Sequence, residues 1–208
     1  MTYWVEIVSM KHLVLILVTI MLSACVTNVV VEGTVPTPLV AKMPVTVAIY
    51  YDDSFKNFVH SESLEDEGQW EVELGRQNLV FFRKLMGAMF EEVVELESPE
   101  IAPERQAEFD GIIIPRIEKY GFLTPSISGL KFFSASIHYE ISLYDSENKK
   151  LTEYSVVGYG KSEPGAFSAG PALGQATMLA IRDGGTRIAT ELKLIPEVDR
   201  WVNNSEGK

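Results

Sequence analysis

Cysteine is nearly missing: the 208-residue chain holds one, Cys25. A single thiol excludes an intrachain disulfide framework and any cysteine-rich zinc site. Histidine is almost as scarce, at three, so a histidine-based metal or proton-transfer centre has few residues to draw on. Basic residues are outnumbered, 18 Lys and Arg against 29 Asp and Glu, for a net charge of −11, and nowhere do they cluster. That balance excludes nucleic acid as a partner, since binding phosphates needs grouped cations. Long apolar runs are also lacking. The run Leu13–Leu22 has ten residues, about half of what a membrane-spanning helix needs. No internal repeat or low-complexity tract interrupts the chain. What remains, 46% hydrophobic and 23% charged residues, is the composition of one folded domain with a core of its own.

The first 25 residues have an order of their own. Lys11 and His12 precede the apolar run, and Ser23, Ala24 and Cys25 follow it. A basic flank, a short apolar stretch and small residues make a secretory signal over residues 1–24. Met10 is the more natural start, because Glu6 lies where such signals carry positive charge. The tetrapeptide Leu22-Ser23-Ala24-Cys25 resembles the lipobox of bacterial lipoproteins. That resemblance implies a diacylglyceryl group on the Cys25 thiol, cleavage just before it, and a further acyl chain such as palmitate on the new amine. A thiolate is nucleophilic enough to accept the lipid, and several chains on one residue anchor a domain durably. The membrane is then a partner, reached through Cys25. Val26 stands where an Asp usually retains such proteins in the inner membrane. The resemblance therefore implies the periplasmic face of the outer membrane. Two other readings stay open: an uncleaved helix continuing to Val31, interrupted by Ser23, Thr27 and Asn28, and an ordinary cleaved signal with a coincidental cysteine.

Pro36, Pro38 and Pro44, with few charges and no helical period, read residues 25–44 as an extended tether, with Val29–Val31 as an alternative edge strand. The domain proper is expected over 45–202, with a frayed tail at 203–208. Val45–Tyr51 reads as the first strand. The acidic segment from Asp52 to Glu67 lacks the ligand order of a calcium loop and reads as solvated loop. Leu79, Phe82, Leu85, Met86, Met89 and Phe90 form the apolar face of a helix over 76–91. Glu92–Leu96 is a short strand, and Ile112-Ile113-Ile114 belongs to a strand buried on both faces, with Pro115 at a bulge or edge turn. Phe133, Ala135, Ile137, Tyr139, Ile141 and Leu143 alternate with Ser134, Ser136, His138, Glu140, Ser142 and Tyr144, which defines a strand with one dry and one wet face. Residues 145–150 turn the chain into a hairpin partner over 151–160. A loop over 161–171 leads to a long helix from Pro171, whose small residues allow close approach to a sheet and which Pro196 ends. The expected class is α+β: an antiparallel sheet of four to five strands with two helices on one face.

No catalytic constellation emerges, so no catalytic, cofactor-binding or metal-binding residue is assigned. His60 and His138, supplemented by Glu62 or Glu140, lack metal-binding spacing and read as solvated. Gly165-Ala-Phe-Ser-Ala-Gly170 has one residue too many for a nucleophile elbow, and Gly158/Gly160 lacks the third glycine of a phosphate cradle. Two surfaces remain. One is the apolar connection Phe122–Phe133, where Leu123, Ile127 and Leu130, if exposed, mark a partner or membrane surface. The other is the wet face of the 133–144 strand. The expected function is that of a non-catalytic, lipid-anchored envelope component with a protein partner. Architecturally it is similar to accessory lipoproteins of outer-membrane transport and assembly machines. A lipoprotein binding a lipid or glycan, on the wet face or under the 122–133 loop, is the alternative, and a hydrolase comes third.

Overall fold

The computed structural model describes residues 26–34, 36–165 and 169–205. The leader, Cys25 and Ser168 lie outside them. In chain order the elements are β1 (Val26–Val30), β2 (Met43–Ile49), α1 (Asp53–Lys56), β3 (Val59–Leu64), β4 (Gly68–Glu73), α2 (Gly75–Met89), β5 (Phe90–Glu95), a 3₁₀ turn (Pro103–Glu108), β6 (Gly111–Leu123), α3 (Pro125–Ser128), β7 (Phe133–Asp145), β8 (Lys150–Ser162), α4 (Ala169–Glu191), a short 3₁₀ turn and α5 (Pro196–Ser205). The class is α+β, but with two sheets instead of one: β1-β4-β3 and β5-β2-β6-β7-β8.

The larger sheet is mixed, which corrects the expected antiparallel one. β2 pairs in parallel with both β5 and β6, while β6, β7 and β8 are antiparallel. Parallel neighbours need crossover connections. Helix α2 precedes β5 and packs on one face of the sheet, and the 96–110 connection covers the other. Ile113 therefore joins the main core, and Ile112 and Ile114 join a second cluster with Ile101 and Phe109. Both faces of the triple-isoleucine strand are dry, as its lack of alternation predicts. Asn148, held at φ 64°, bonds both backbone groups of Ile101 through its side chain and pins this covering loop. Pro115 sits inside β6, opposite Ile141. Tyr50 N donates to Ile113 O at 3.0 Å, so Pro115, two residues on, faces the same side just past the end of β2. No donor is needed there. The register shift comes later, between Ile117 and Lys119.

Helix α4 lies along β8 closely enough that glycine is required. A Cβ on Gly158 would meet Ala180 O at 2.0 Å, and one on Gly160 would meet Ala176 O at 2.1 Å. The small residues of the helix and the strand thus make one seam. Two polar anchors cross the core beside it. Tyr139 donates its hydroxyl to Asn78 Oδ1, and Tyr120 shares a 2.6 Å hydrogen bond with Thr177. Burial pushes both phenols up from their ordinary pKa.

Three segments differ from expectation. The acidic stretch folds: Asp52 caps α1, and β3 and β4 form a hairpin whose turn holds Asp66 and Gly68 at positive φ. Trp70 and Val72 face the core, Glu62 lies on the same side opposite Trp70, and Glu65 and Asp66 at the turn stay outside. The start of the expected tether is β1, parallel to β4, with Val29 and Val31 buried. Glu32 pairs with Arg76, and Arg182 bonds Thr34 O, which straps residues 31–34 across the helices. Finally, Pro196 starts a helix, and the long helix has already ended at Glu191. α5 reaches Ser205, buries Val198, Trp201 and Val202, and donates Trp201 Nε1 to Asp110 O at 3.0 Å. The long helix itself begins at Ala169, ahead of Pro171.

Candidate functional site: an open sheet face and its rim

Strand pairing sorts the side chains of β6, β7 and β8 onto two faces. One carries Phe133, Ala135, Ile137, Tyr139, Ile141 and Leu143 and is sealed by the helices. The other divides at mid-length. Ile112, Ile114 and Tyr144 lie under the 96–110 connection. Beyond Arg116 the face carries no covering element among the described residues, and its rows read Arg116–Glu140–Ser155, Lys119–His138–Val157, Gly121–Ser136–Tyr159 and Leu123–Ser134–Lys161. The wet face is thus wet over half its length, and Ser134 and Ser142 are buried within it.

Gly121 and Ser136 form a shallow floor between exposed Tyr159 and Val157 on one side and Lys119 and Leu123 on the other. Lys161 holds its ammonium 5.3 Å from the Phe132 ring centre. The two surfaces that the sequence singles out are therefore continuous. Leu123, Ile127 and Leu130 are 46%, 49% and 51% exposed. Their connection is ordered: Thr124 Oγ1 caps α3 at Ile127 N, and Gly129, at φ 68°, ends it.

Glu140 is the titratable group most affected by this face. Its partly buried side chain, with Glu153 and Glu118 nearby, holds its carboxyl above the ordinary value, against the pull of Arg116 at 3.8 Å. At the outer edge, Asp183 Oδ2 accepts the Tyr159 N–H at 3.0 Å, satisfying one donor that β8 would otherwise expose.

The two histidines do not meet. His60 packs on Tyr120 and Phe122, on the helix side of the sheet, and its Nε2 lies 3.1 Å from Glu62. His138 points to the open side. Among the described residues no group of three His, Cys, Asp or Glu side chains is placed to hold a metal ion. The glycine pair 158/160 serves helix packing, and Ser168 lies outside the described residues. Sequence reasoning does not anticipate a cleft of about 640 Å³ between residues 28–34 and α4, lined by Val29, Met178, Leu179, Asn28, Gln175 and Arg182. It arises because residues that read as tether fold against the helix.

The molecule is thus a two-sheet α+β domain with one half-open sheet face. No protein-family model and no curated protein sequence matches the chain. Solved structures do share its fold. Protein XCC0632 of Xanthomonas campestris, from family DUF330, aligns with 88% of this chain and 99% of its own at 10% identity and a TM-score of 0.53. A neuraminyllactose-binding hemagglutinin homologue from Helicobacter pylori aligns over 86% of this chain and 100% of its own, at 10% identity and a TM-score of 0.50. At such identity the likeness is one of fold. Among the described residues no helix is long and apolar enough to cross a membrane.

Proposed function

We propose that this protein is a lipid-anchored lipoprotein of the bacterial envelope that works by binding, without catalysis, as an assembly or transport accessory component. Its anchor is the lipid on Cys25, and Val26 after it favours the periplasmic face of the outer membrane. The observation that carries the binding role is the uncovered half of the β6–β7–β8 face, with Val157, Tyr159 and Leu123 exposed around the Gly121/Ser136 floor. Large exposed apolar side chains on a rigid, flat surface are what a protein partner can bury, and tyrosine contributes strongly to such contacts. A photo-crosslinker at Tyr159 in cells is expected to trap one defined envelope protein. If abundant protein gives no such adduct, the assembly role is refuted. Mass spectrometry of the amino-terminal peptide tests the anchor: wild type carries acyl chains on Cys25, and Cys25→Ser carries none and keeps its leader.

A second reading has its own observation. The cleft beside α4 has the size of small-molecule sites and mixes an apolar wall with Asn28, Gln175 and Arg182. A lipid or glycan ligand would raise the melting temperature of the wild type, and Met178→Trp, which fills the cleft, would remove that shift.

A further inference from the structure

We propose that the amino-terminal end of β1, the β3–β4 turn and the 124–132 connection form the face on which this domain lies on its own bilayer, with Ile127 and Leu130 entering the lipid interface. The inference deepens the lipoprotein reading and rests on it.

It follows from where the anchor joins the fold. Cys25 is one peptide bond from Val26, so their Cα atoms stand about 3.8 Å apart. Val26 is already the first residue of β1, in register with Gln69 of β4. No slack remains to hold the domain away from the membrane. Whatever lies beside Val26 must lie against the headgroups.

Side-chain contacts identify that neighbourhood. Glu67, just before β4, accepts a 2.5 Å hydrogen bond from Thr124 Oγ1, the cap of α3. Trp70 packs on Phe122 at 5.5 Å and His60 on Tyr120 at 5.1 Å. The hairpin therefore runs along β6 with its turn at the Leu123 end. The same end carries Val26, Ile127 and Leu130, all about half exposed. α3 is a fixed apolar wedge, capped at both ends, standing next to the anchor.

Charge indicates how the wedge acts. Glu65, Asp66 and Glu67 at the turn outnumber Lys131 and Lys161 nearby. Attraction to anionic lipid is therefore not the driving force. The acyl chains supply the affinity, and the wedge sets orientation by apolar contact, with the acidic turn limiting its depth. Helix α4 begins beside Asn28 and carries the chain about 34 Å away from that end, at 1.5 Å per residue. Leu194, also highly exposed, marks the opposite end.

The test uses the full chain, produced with its leader, bearing p-benzoylphenylalanine at position 127, 130 or 194. Acylated protein is reconstituted into phosphatidylethanolamine–phosphatidylcholine vesicles, irradiated and weighed by mass spectrometry. Phospholipid adducts are expected several-fold more often from 127 and 130 than from 194. Equal yields at all three positions, or adducts from 127 and 130 to a second copy of the chain, overturn the orientation. The amino-terminal peptide of the same sample separates the two claims. An acylated Cys25 without lipid adducts at 127 and 130 refutes only the membrane face, and an unmodified Cys25 refutes the lipoprotein reading with it.

Discussion

At the scale of single residues, three positions make the physics measurable. Gly158 is fixed by contact, since an added Cβ would overlap Ala180 O and Gly184 N, both backbone atoms that cannot swing away. Gly158→Ala must push α4 off β8 and is expected to cost about 1–3 kcal/mol, read as a lower urea midpoint. Gly87 is the opposite case: it lies inside α2, is exposed, and an added Cβ would have nothing within 4 Å of it. Gly87→Ala should gain about 0.5–1 kcal/mol from helix propensity alone. Glu140 gives a pH signature. Its folded carboxyl is raised above the ordinary value, so the fold disfavours the charged form. Stability is complete below the ordinary carboxylate pKa of about 4.3 and is lost as pH rises through the raised value. Glu140→Gln should therefore raise the melting temperature at neutral pH and leave it unchanged in acid. An equal shift at both pH values would mean that packing, not charge, is responsible.

At the scale of elements, legibility in the sequence follows the hydrophobic period. β7 and α2 are readable because their dry positions repeat at 2 and 3.6 residues over a dozen or more positions, and every dry-face residue of β7 is buried. The small sheet is hidden. In β3, Val59 to Ser63 alternates without an apolar face, and in β4 the signal is only Trp70 and Val72 among Gln69, Glu71 and Glu73. The six acids that suggest a solvated loop lie at the cap and first turn of α1, in the β3–β4 turn and, for Glu62, on the core side of β3 beside His60. Parallel pairing of β5, β2 and β6 is equally invisible, because it depends on which face each crossover takes. The open sheet face is legible residue by residue, but its junction with the 122–133 rim is not, since β6 and β8 supply half of it. α5 escapes notice because Pro196 signals the end of one helix, although proline also suits the first position of another. Trp201 shows what that helix holds. Its ring is buried and its Nε1 bonds Asp110 O, at the point where β6 begins. Trp201→Ala is expected to cost about 3–5 kcal/mol, and an unchanged urea midpoint would mean that α5 is not part of the cooperative fold.

At the scale of the whole molecule, the decisive question is whether residues 26–34 connect the domain to something else or belong to it. Val29 and Val31 are buried, β1 completes the small sheet, and Arg76 and Arg182 bind Glu32 and Thr34 from two different helices. Each valine contributes about 1.5–3 kcal/mol on burial. A chain beginning at Pro36 should therefore lose roughly 3–6 kcal/mol relative to one beginning at Val26. It would also uncover the edge of β4 and the wall of α4. Leu39, by contrast, is fully exposed on the strand-free stretch between β1 and β2. Lengthening the chain there with a few Gly and Ser residues should cost no more than about 0.6 kcal/mol, the entropy of a doubled loop. The pair of measurements discriminates sharply. A true tether would tolerate both changes, and a segment integral to the fold tolerates only the second. In the second case, the lipid proposed on Cys25 would be attached to the rigid body itself, and a domain so anchored could not turn freely above a membrane.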